Sequence, residues 1–254
     1  MKVVALQSNL HWQNVAANKK HFKQLIQNIT DADIIVLPEM FLSGFVTNNP
    51  DVAVSYQEAK NYLSELHSIS NSAVCASVLV KEDGKCFNRF IWVDDTQVVH
   101  YDKKHLFSFA NEQAGITAGD SQLIISYKNW RIAAFVCYDL RFPVWSRNKA
   151  DNPYELALYV ANWPEVRINA WSTLLKACAI ENQCFVVGVN RVGEDGNGIV
   201  YNGASAMISP YGEIIKDNAK GQEIALEATL DLKVLQEFRK KFPVLNDGDG
   251  FSLR

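Results

Sequence analysis

The stretch that decides the fold is "RIAAFVCYDLRFP", residues 131–143. An apolar run leads into Cys137, and the polar residues Tyr138, Asp139 and Arg141 follow at once. Such a run predicts a buried strand. A cysteine inside an apolar run is usually a core residue. A cysteine at the end of such a strand stands where an α/β protein holds a nucleophile, because ligands bind beyond the carboxyl ends of the strands.

Helices and strands alternate along the rest of the chain. Apolar runs predict buried strands at residues 2–6, 33–39, 155–163 and 184–192, and helical periodicity predicts helices at 15–29, 55–70 and 167–182. Residues 72–104 and 204–230 predict antiparallel hairpins with turns at 83–84 and 210–212, and a short helix is predicted to end near Lys241. The mixture of crossovers and hairpins predicts mixed β-sheets with helices on their outer faces.

The overall composition is that of a globular protein without an interdomain linker. The 254 residues are 48% hydrophobic and 21% charged, with a formal net charge of -3. No basic excess is available for phosphate contacts, so nucleic acid is not predicted as a partner. No apolar stretch approaches the roughly 20 residues that cross a bilayer, and the N-terminus lacks a signal-peptide pattern. We therefore predict a cytoplasmic protein with no membrane partner.

The cysteine pattern predicts neither disulfides nor a metal site. The number of cysteines is odd, and no two of them have the C-x-x-C spacing. No other cluster of metal-ligating residues stands out, so no metal and no organic cofactor is predicted. The five cysteines are Cys75, Cys86, Cys137, Cys178 and Cys184.

Reactive side chains follow three of the predicted strands. "IIVLPE" ends on Glu39, "QVVHYDKK" ends on Lys103 and Lys104, and "IAAFVC" ends on Cys137. Each residue alone has an ordinary explanation, as surface charge or as a core thiol. Together they predict one crevice, because the carboxyl ends of strands in an open α/β sheet meet at one edge.

Several segments resemble one known family. "LPEMFLSGF" (37–45), "YDKKHLF" (101–107) and "CYDLRFP" (137–143) resemble, in order and spacing, the three signature segments of the nitrilase (carbon–nitrogen hydrolase) superfamily. "KACAIENQ" (176–183) and "SPYGEII" (209–215) resemble two further segments. The resemblance covers nearly the whole chain. It implies a single domain over residues 1–254, folded as a four-layer α-β-β-α sandwich of two mixed β-sheets.

The resemblance also implies the catalytic residues. By motif position the triad is Glu39, Lys103 and Cys137, and Lys103 rather than Lys104 matches because it stands two residues before His105. Glu112 matches a second glutamate of the family. The implied activity is hydrolysis of carbon–nitrogen bonds in small amides rather than in peptides.

The chemistry of amides suits these residue types. A thiolate is a strong nucleophile, and Glu39 would take the proton of Cys137 and later give it to the departing ammonia. The Lys103 ammonium and the backbone N–H of Tyr138 would hold the oxyanion, and the charge of Lys103 would lower the thiol pKa. Glu112 would orient Lys103 or position the water of the second step.

The substrate follows from the branch of the superfamily that the chain most resembles. "CYDLRFP" and "ANWPEVR" (161–167) are most similar to the bacterial ω-amidases, which release ammonia from 2-oxoglutaramate or 2-oxosuccinamate. A carboxylate on such a substrate needs a guanidinium, which either Arg141 or Arg167 would supply. The alternatives are a structural salt bridge of Arg141 with Asp139 or with a neighbouring strand, and a surface position at the start of a helix for Arg167.

Aromatic residues complete the predicted pocket, and other functions stay open. Phe107, Phe142 and Trp163 would exclude water. The alternative functions are another activity of the superfamily (N-carbamoyl amino acid hydrolase, aliphatic amidase or nitrilase) and a redox-sensing thiol protein without enzymatic activity. His105 is predicted to be structural, and residues 196–203 a turn or pocket loop. Assembly in the superfamily implies a homodimer.

Overall fold

The computed structural model describes residues 1–217 and 221–253. The first half of the described chain forms β1 (Lys2–Gln7), α1 (Val15–Gln27), β2 (Ile34–Val36), β3 (Val54–Ser55), α2 (Tyr56–Ser70), β4 (Ala73–Glu82), β5 (Lys85–Val93) and β6 (Val98–Asp102). The second half forms β7 (Leu123–Tyr127), β8 (Trp130–Val136), α3 (Pro143–Ser146), β9 (Leu156–Ala161), α4 (Ile168–Glu181), β10 (Phe185–Asn190), β11 (Val192–Glu194), β12 (Val200–Asn202), β13 (Ala206–Ile208), β14 (Ile214–Asp217), β15 (Ile224–Thr229) and α5 (Leu232–Lys241).

Two mixed sheets form the centre of the protein. The first has the order β15-β1-β2-β4-β5-β6, with β3 beside β4, and the second has the order β14-β13-β10-β9-β8-β7. In the first sheet β1, β2 and β4 run parallel while β4, β5 and β6 are antiparallel. In the second, β8, β9 and β10 run parallel and the outer pairs are antiparallel. Strands β11 and β12 form a separate ribbon.

Side-chain alternation along the strands creates the layers. In β1, Val3 and Ala5 point into the core between the sheets, while Val4 and Leu6 point to the core under α1 and α2. Successive side chains of a strand point to opposite faces, so a strand that is apolar on both faces is covered on both. Helix α4 covers the outer face of the second sheet. The predicted α-β-β-α sandwich is thereby confirmed.

Local sequence signals place most helix and strand ends. The side chain of Asn14, the N-cap of α1, accepts a hydrogen bond from the backbone N–H of Ala17 at 3.0 Å, which satisfies a donor that the first turn leaves unpaired. The predicted strand at 33–39 is only Ile34–Val36 in the structure, because Pro38 has no N–H for the ladder and the chain leaves the sheet before Glu39.

Two parts of the predicted strand arrangement were wrong. Strand β7 was not predicted, because it is a five-residue edge strand that is only partly buried. The predicted hairpin over 204–230 holds for β13 and β14, but β15 pairs antiparallel with β1 in the other sheet. Periodicity identifies a strand without naming its partner, so the crossing to the other sheet was not visible in the pattern.

Other structural expectations concern the cysteines and membranes. The five cysteines are buried and free. Within the described residues, no helix is long and apolar enough to cross a bilayer.

Gly119 lies where the chain that follows β6 passes in close contact with the backbone at the end of that strand. Gly119 donates a backbone hydrogen bond to the carbonyl of Lys103 at 3.0 Å, and a Cβ there would overlap the carbonyl oxygen of Asp102. Because backbone atoms cannot rotate away, Gly119→Ala should lower the free energy of unfolding by about 1–3 kcal/mol, measured by urea denaturation. A Cβ at Gly250 meets open space, so Gly250→Ala should stay within about 0.5 kcal/mol of wild type. Equal stability of the two variants would contradict this account.

Candidate active site

The predicted triad comes together between the ends of three strands. Glu39 follows β2 and Lys103 follows β6 in the first sheet, and Cys137 follows β8 in the second. The ammonium nitrogen of Lys103 lies 3.0 Å from Oε1 of Glu39 and 3.0 Å from Oε2 of Glu112. The thiol of Cys137 lies close enough to the Glu39 carboxylate for the negative charge of Glu39 to raise the pKa of the thiol. All four side chains therefore meet, although up to 98 positions separate them in the sequence (137 minus 39).

The backbone turns sharply at the cysteine. Cys137 has a φ of 45°, in the left-handed region that residues other than glycine rarely adopt. A 3-10 turn over Cys137–Arg141 follows. Buried Asp139 holds this turn, since its Oδ2 accepts hydrogen bonds from the backbone N–H of Val136 at 3.0 Å and from the Tyr101 hydroxyl at 2.7 Å. The strained conformation persists because these contacts fix the residues around it.

Asp139 also joins the 3-10 turn at Cys137 to the segment that follows Lys103. Its Oδ1 accepts hydrogen bonds from the backbone N–H of His105 at 3.0 Å and from Nδ1 of the same residue at 2.8 Å. The His105 ring stacks on Phe142 with ring centres 3.9 Å apart. These contacts agree with a structural role for His105. Phe142 packs behind Tyr138 and lines a separate groove rather than the cavity around Cys137.

Lys103 is a fully buried cation with two carboxylate partners. Burial by itself would lower the pKa of Lys103, but the charges of Glu112 and Glu39 outweigh it and raise the pKa above the usual value. The ammonium form therefore persists at physiological pH. A buried charge is tolerated only when it is paired and hydrogen-bonded, which is the arrangement observed here.

The carboxylate of Glu39 is held on both of its oxygens. Oε1 accepts a hydrogen bond from Nδ2 of Asn88 at 2.7 Å in addition to that from Lys103, and Oε2 accepts one from the backbone N–H of Asn162 at 2.7 Å. The side-chain amide of Asn162 also donates to the backbone carbonyl of Glu39 at 2.7 Å. These donors fix the orientation of the carboxylate toward the thiol.

The thiol of Cys137 is neutral in the resting site. Burial is the largest cause that raises its pKa well above the usual value, and the negative charge of Glu39 adds to the rise. The expected lowering by Lys103 is present, but these two effects outweigh it. The side chain is 9% exposed. A redox-sensing cysteine is typically an accessible thiolate of low pKa, so this environment does not suit that alternative.

A cavity of about 230 Å³ lies over Cys137 and Lys103. It is lined mostly by aromatic and polar side chains, as small-molecule sites usually are. Five further residues of the predicted site line it: Phe107, Tyr138, Arg141, Trp163 and Arg167. Residues that the sequence reasoning missed also line it, among them Trp12, Phe45, Asn162, Asp195 and Tyr201.

Two guanidinium groups lie at this cavity. Arg141 stands over the ring of Trp163, 5.0 Å from its centre, and Arg167 stands over Phe107 at 5.3 Å. Within residues 1–217 and 221–253 neither arginine forms an ion pair, so the alternative pairing of Arg141 with Asp139 is wrong. Arg167 is half-buried at the cavity rather than an ordinary surface residue. Both charges are available to a ligand.

The site residues that the sequence analysis did not predict differ in how recognisable they are from the sequence. Asn88 and Arg89 interrupt the apolar stretch "FNRFIWV" (87–93), and a polar residue in a buried strand has to find a hydrogen-bond partner. Residues 196–203, predicted as a turn or pocket loop, do contribute to the cavity through Asn197, Ile199 and Tyr201, and they also contain β12. Trp12 and Phe45 carry no signal that separates them from core aromatics.

Comparisons with known proteins agree with this geometry. The chain is 44% identical over its full length to the ω-amidase YafV of Escherichia coli, covering 98% of that protein. It is 35% identical to a 2-oxoglutaramate amidase of Paenarthrobacter nicotinovorans, over 89% of this chain and 81% of the relative. The structure of XC1258 from Xanthomonas campestris, described as a CN-hydrolase superfamily protein, has a TM-score of 0.97 and 38% identity, with 100% of this chain and 99% of that chain covered.

A family model extends the agreement to nearly the whole chain. The model of the carbon-nitrogen hydrolase family matches residues 2–240. This range includes the three strand ends, the glutamate that pairs with Lys103 and the lining of the cavity described above. The family predicted from the sequence motifs is therefore confirmed: the chain belongs to the carbon-nitrogen hydrolase family.

Proposed function

We propose that this chain is an ω-amidase that hydrolyses the terminal amide of a small 2-oxo acid, 2-oxoglutaramate or 2-oxosuccinamate, to a dicarboxylic 2-oxo acid and ammonia. The observation that carries the proposal is the buried thiol of Cys137 beside the Glu39 carboxylate and the Lys103 ammonium. The cavity there also holds two guanidinium groups that form no ion pair within the described part of the chain. The names of the similar proteins support the substrate class.

The first half of the reaction forms a thioester. Glu39 takes the proton of the Cys137 thiol, and the sulfur attacks the amide carbon. The tetrahedral intermediate carries a negative oxygen, which the Lys103 ammonium and the backbone N–H of Tyr138 stabilise. Glu39 gives its proton to the amide nitrogen, the carbon–nitrogen bond breaks, and ammonia leaves.

The second half restores the enzyme. A water molecule attacks the thioester while Glu39 accepts one of its protons, and the oxyanion forms at the same place as before. The carbon–sulfur bond breaks, the carboxylic acid leaves, and the thiol regains its proton from Glu39. Glu112 keeps Lys103 charged and in position, because its two carboxylate oxygens accept hydrogen bonds from the ammonium at 3.1 and 3.0 Å.

The guanidinium groups at the cavity suit an anionic substrate. A guanidinium binds a carboxylate with two parallel hydrogen bonds, and stacking on Trp163 or Phe107 keeps the planar group oriented. We therefore assign the carboxylate at the far end of the substrate to Arg141 and Arg167. The homodimer, the cytoplasmic location and the absence of a nucleic-acid partner stay predictions.

A substrate panel tests the assignment. Purified protein is incubated with 2-oxoglutaramate, glutamine, an N-carbamoyl amino acid, a neutral aliphatic amide and a simple nitrile, and ammonia is measured. We expect 2-oxoglutaramate to have the highest kcat/KM, because it alone presents a terminal amide together with a 2-oxo acid. A higher kcat/KM for any other compound would replace the ω-amidase assignment with that activity.

Removal of the nucleophile and of the base should have different pH signatures. Cys137→Ala should lose activity at every pH. Glu39→Gln should lose at least about 100-fold of kcat at pH 7, since no group then removes the thiol proton. Because burial raises the thiol pKa, more thiolate forms as pH rises, so the remaining activity of Glu39→Gln should increase between pH 7 and 9. Thioester formation on Cys137 is followed by mass spectrometry.

A matched cysteine variant controls for the loss of a buried thiol. Cys86 is buried but lies outside the cavity, so Cys86→Ala should keep wild-type activity. Full activity of Glu39→Gln at pH 7 is the result that would exclude Glu39 as the base.

The two arginines are tested by substrate charge. Arg141→Met and Arg167→Met should each raise KM for 2-oxoglutaramate about tenfold or more, the loss expected for a charge-assisted hydrogen bond, with little change in kcat. KM for a neutral amide should not rise. Arg147→Met is the control, because Arg147 bonds the backbone carbonyl of Glu181 outside the cavity. Unchanged KM values in both test variants would refute the carboxylate assignment.

A further inference from the structure

We propose that Asn88 is a positioning residue of this reaction, and that Ser77 fixes the direction in which the Asn88 amide points. The kinetic part of the proposal rests on the proposed function. Neither residue belongs to the triad, and neither lines the cavity. Both side chains are fully buried, so their contacts are with protein groups of the active site rather than with solvent.

Asn88 bonds both carboxylates of the site. Its Nδ2 donates to Oε1 of Glu39 at 2.7 Å and to Oε1 of Glu112 at 3.3 Å. Lys103 donates to the same two oxygens, at 3.0 and 3.1 Å. Two negative side chains therefore share one cation and one neutral amide. The amide adds a donor at Oε1 of each carboxylate, while backbone N–H groups of Asn162 and Phe107 donate to the Oε2 atoms of Glu39 and Glu112.

The acceptors around Asn88 orient its amide, because ionised carboxylates of Glu39 and Glu112 only accept and therefore require the amide nitrogen on their side. The backbone N–H of Met40 donates to Oγ of Ser77 at 2.8 Å, so that oxygen acts as an acceptor there. The hydroxyl proton of Ser77 is then directed to Oδ1 of Asn88, at 2.8 Å. With Oδ1 facing the hydroxyl, the amide nitrogen has to face Glu39 and Glu112. This series of hydrogen bonds begins at the backbone of Met40, the residue after Glu39, and ends at the Glu39 side chain.

The sheet places these residues by register. Leu79 pairs with Asn88 and Ser77 with Phe90, so Ser77 and Asn88 are diagonal neighbours on one face of β4 and β5. The backbone N–H of Lys103 donates to the carbonyl of Asn88 at 3.0 Å. The same face carries Cys75 and Phe90 in the core between the sheets. The inner face thus changes from apolar to polar where it reaches the active site.

The consequence is a carboxylate that keeps its orientation through the whole cycle. Glu39 gains and loses a proton twice per turnover, and its attraction to Lys103 changes each time. A neutral amide neither takes nor gives that proton, so its hydrogen bond holds the side chain in both states. Asn88 thereby keeps the Glu39 carboxylate oriented toward the thiol.

The test is a double-mutant cycle with a pH profile. Asn88→Ala should lower kcat/KM for 2-oxoglutaramate by about 10- to 100-fold, mainly in kcat, and should move the acidic limb of the pH profile to higher pH. Ser77→Ala should cause a smaller loss of kcat/KM and a shift of the pH profile in the same direction, because the side-chain amide of Asn88 can then rotate into the opposite orientation. The double variant should lose no more than Asn88→Ala alone, since Ser77 acts through Asn88. Ser77→Thr keeps the hydroxyl and should restore activity.

A matched variant separates positioning from stability. Asn148 is another buried asparagine with several hydrogen bonds, but its partners are Tyr154 and Asn182, away from the cavity. Asn148→Ala should lower Tm without moving the pH profile. If Asn88→Ala does not fold, Ser77→Ala and Ser77→Thr still test the direction of the amide. Additive losses in the cycle, or an unshifted profile in Ser77→Ala and Asn88→Ala, would overturn the proposal.

A second readout does not depend on the substrate. The rate of Cys137 alkylation by iodoacetamide is measured from pH 6 to 9, with the modified residue identified by mass spectrometry. Asn88→Ala should shift this profile to higher pH relative to wild type. A carboxylate that is less well oriented takes the thiol proton less effectively, so the reaction depends more on the thiolate that forms at higher pH. If wild type releases no ammonia from any amide while this shift is present, the ω-amidase assignment fails and the positioning role stands. If the amide is hydrolysed but neither profile shifts, the positioning role fails.

Discussion

The structure depends on one buried interaction, the Lys103 ammonium between the carboxylates of Glu39 and Glu112. An ammonium without solvent is tolerated only with close negative partners, and two carboxylates without solvent are tolerated only with donors on their oxygens. The position of each of the three side chains is therefore set by the other two. The same arrangement holds the Glu39 carboxylate near Cys137, where its charge adds to the rise in the thiol pKa that burial causes.

The fold brings these groups together through strand ends. Glu39 and Lys103 belong to one sheet and Cys137 to the other, and the hydrogen bonds of Asp139 join the nucleophile turn to the segment after Lys103. Burial of apolar side chains between the sheets holds the two halves of the site against each other. The polar cluster lies at one end of this core, so its groups are shielded from water without interrupting the core itself.

Sequence reasoning reached the proposed triad because each member stands in a short segment that resembles a signature segment of the family, such as "LPE" directly after β2. It identified Arg141 and Arg167 from the charge that the substrate needs, but it did not separate a ligand contact from an ion pair with Asp139. It missed Asn88 and Asn162, because an asparagine is recognised by its partners and those lie 49 and 123 positions away. It placed Phe142 with the pocket on proximity in sequence, whereas the 3-10 turn directs that ring to His105.

The division of the triad between two sheets has a mechanical consequence. The distance between sulfur and carboxylate depends on how one sheet is seated on the other. The apolar core between the sheets sets this seating together with the hydrogen bonds that cross at the site, from Asn162 to Glu39 and from Tyr101 to Asp139. Under the proposed mechanism, activity would therefore respond to displacements of one sheet against the other that are too small to expose the core or to change the secondary structure.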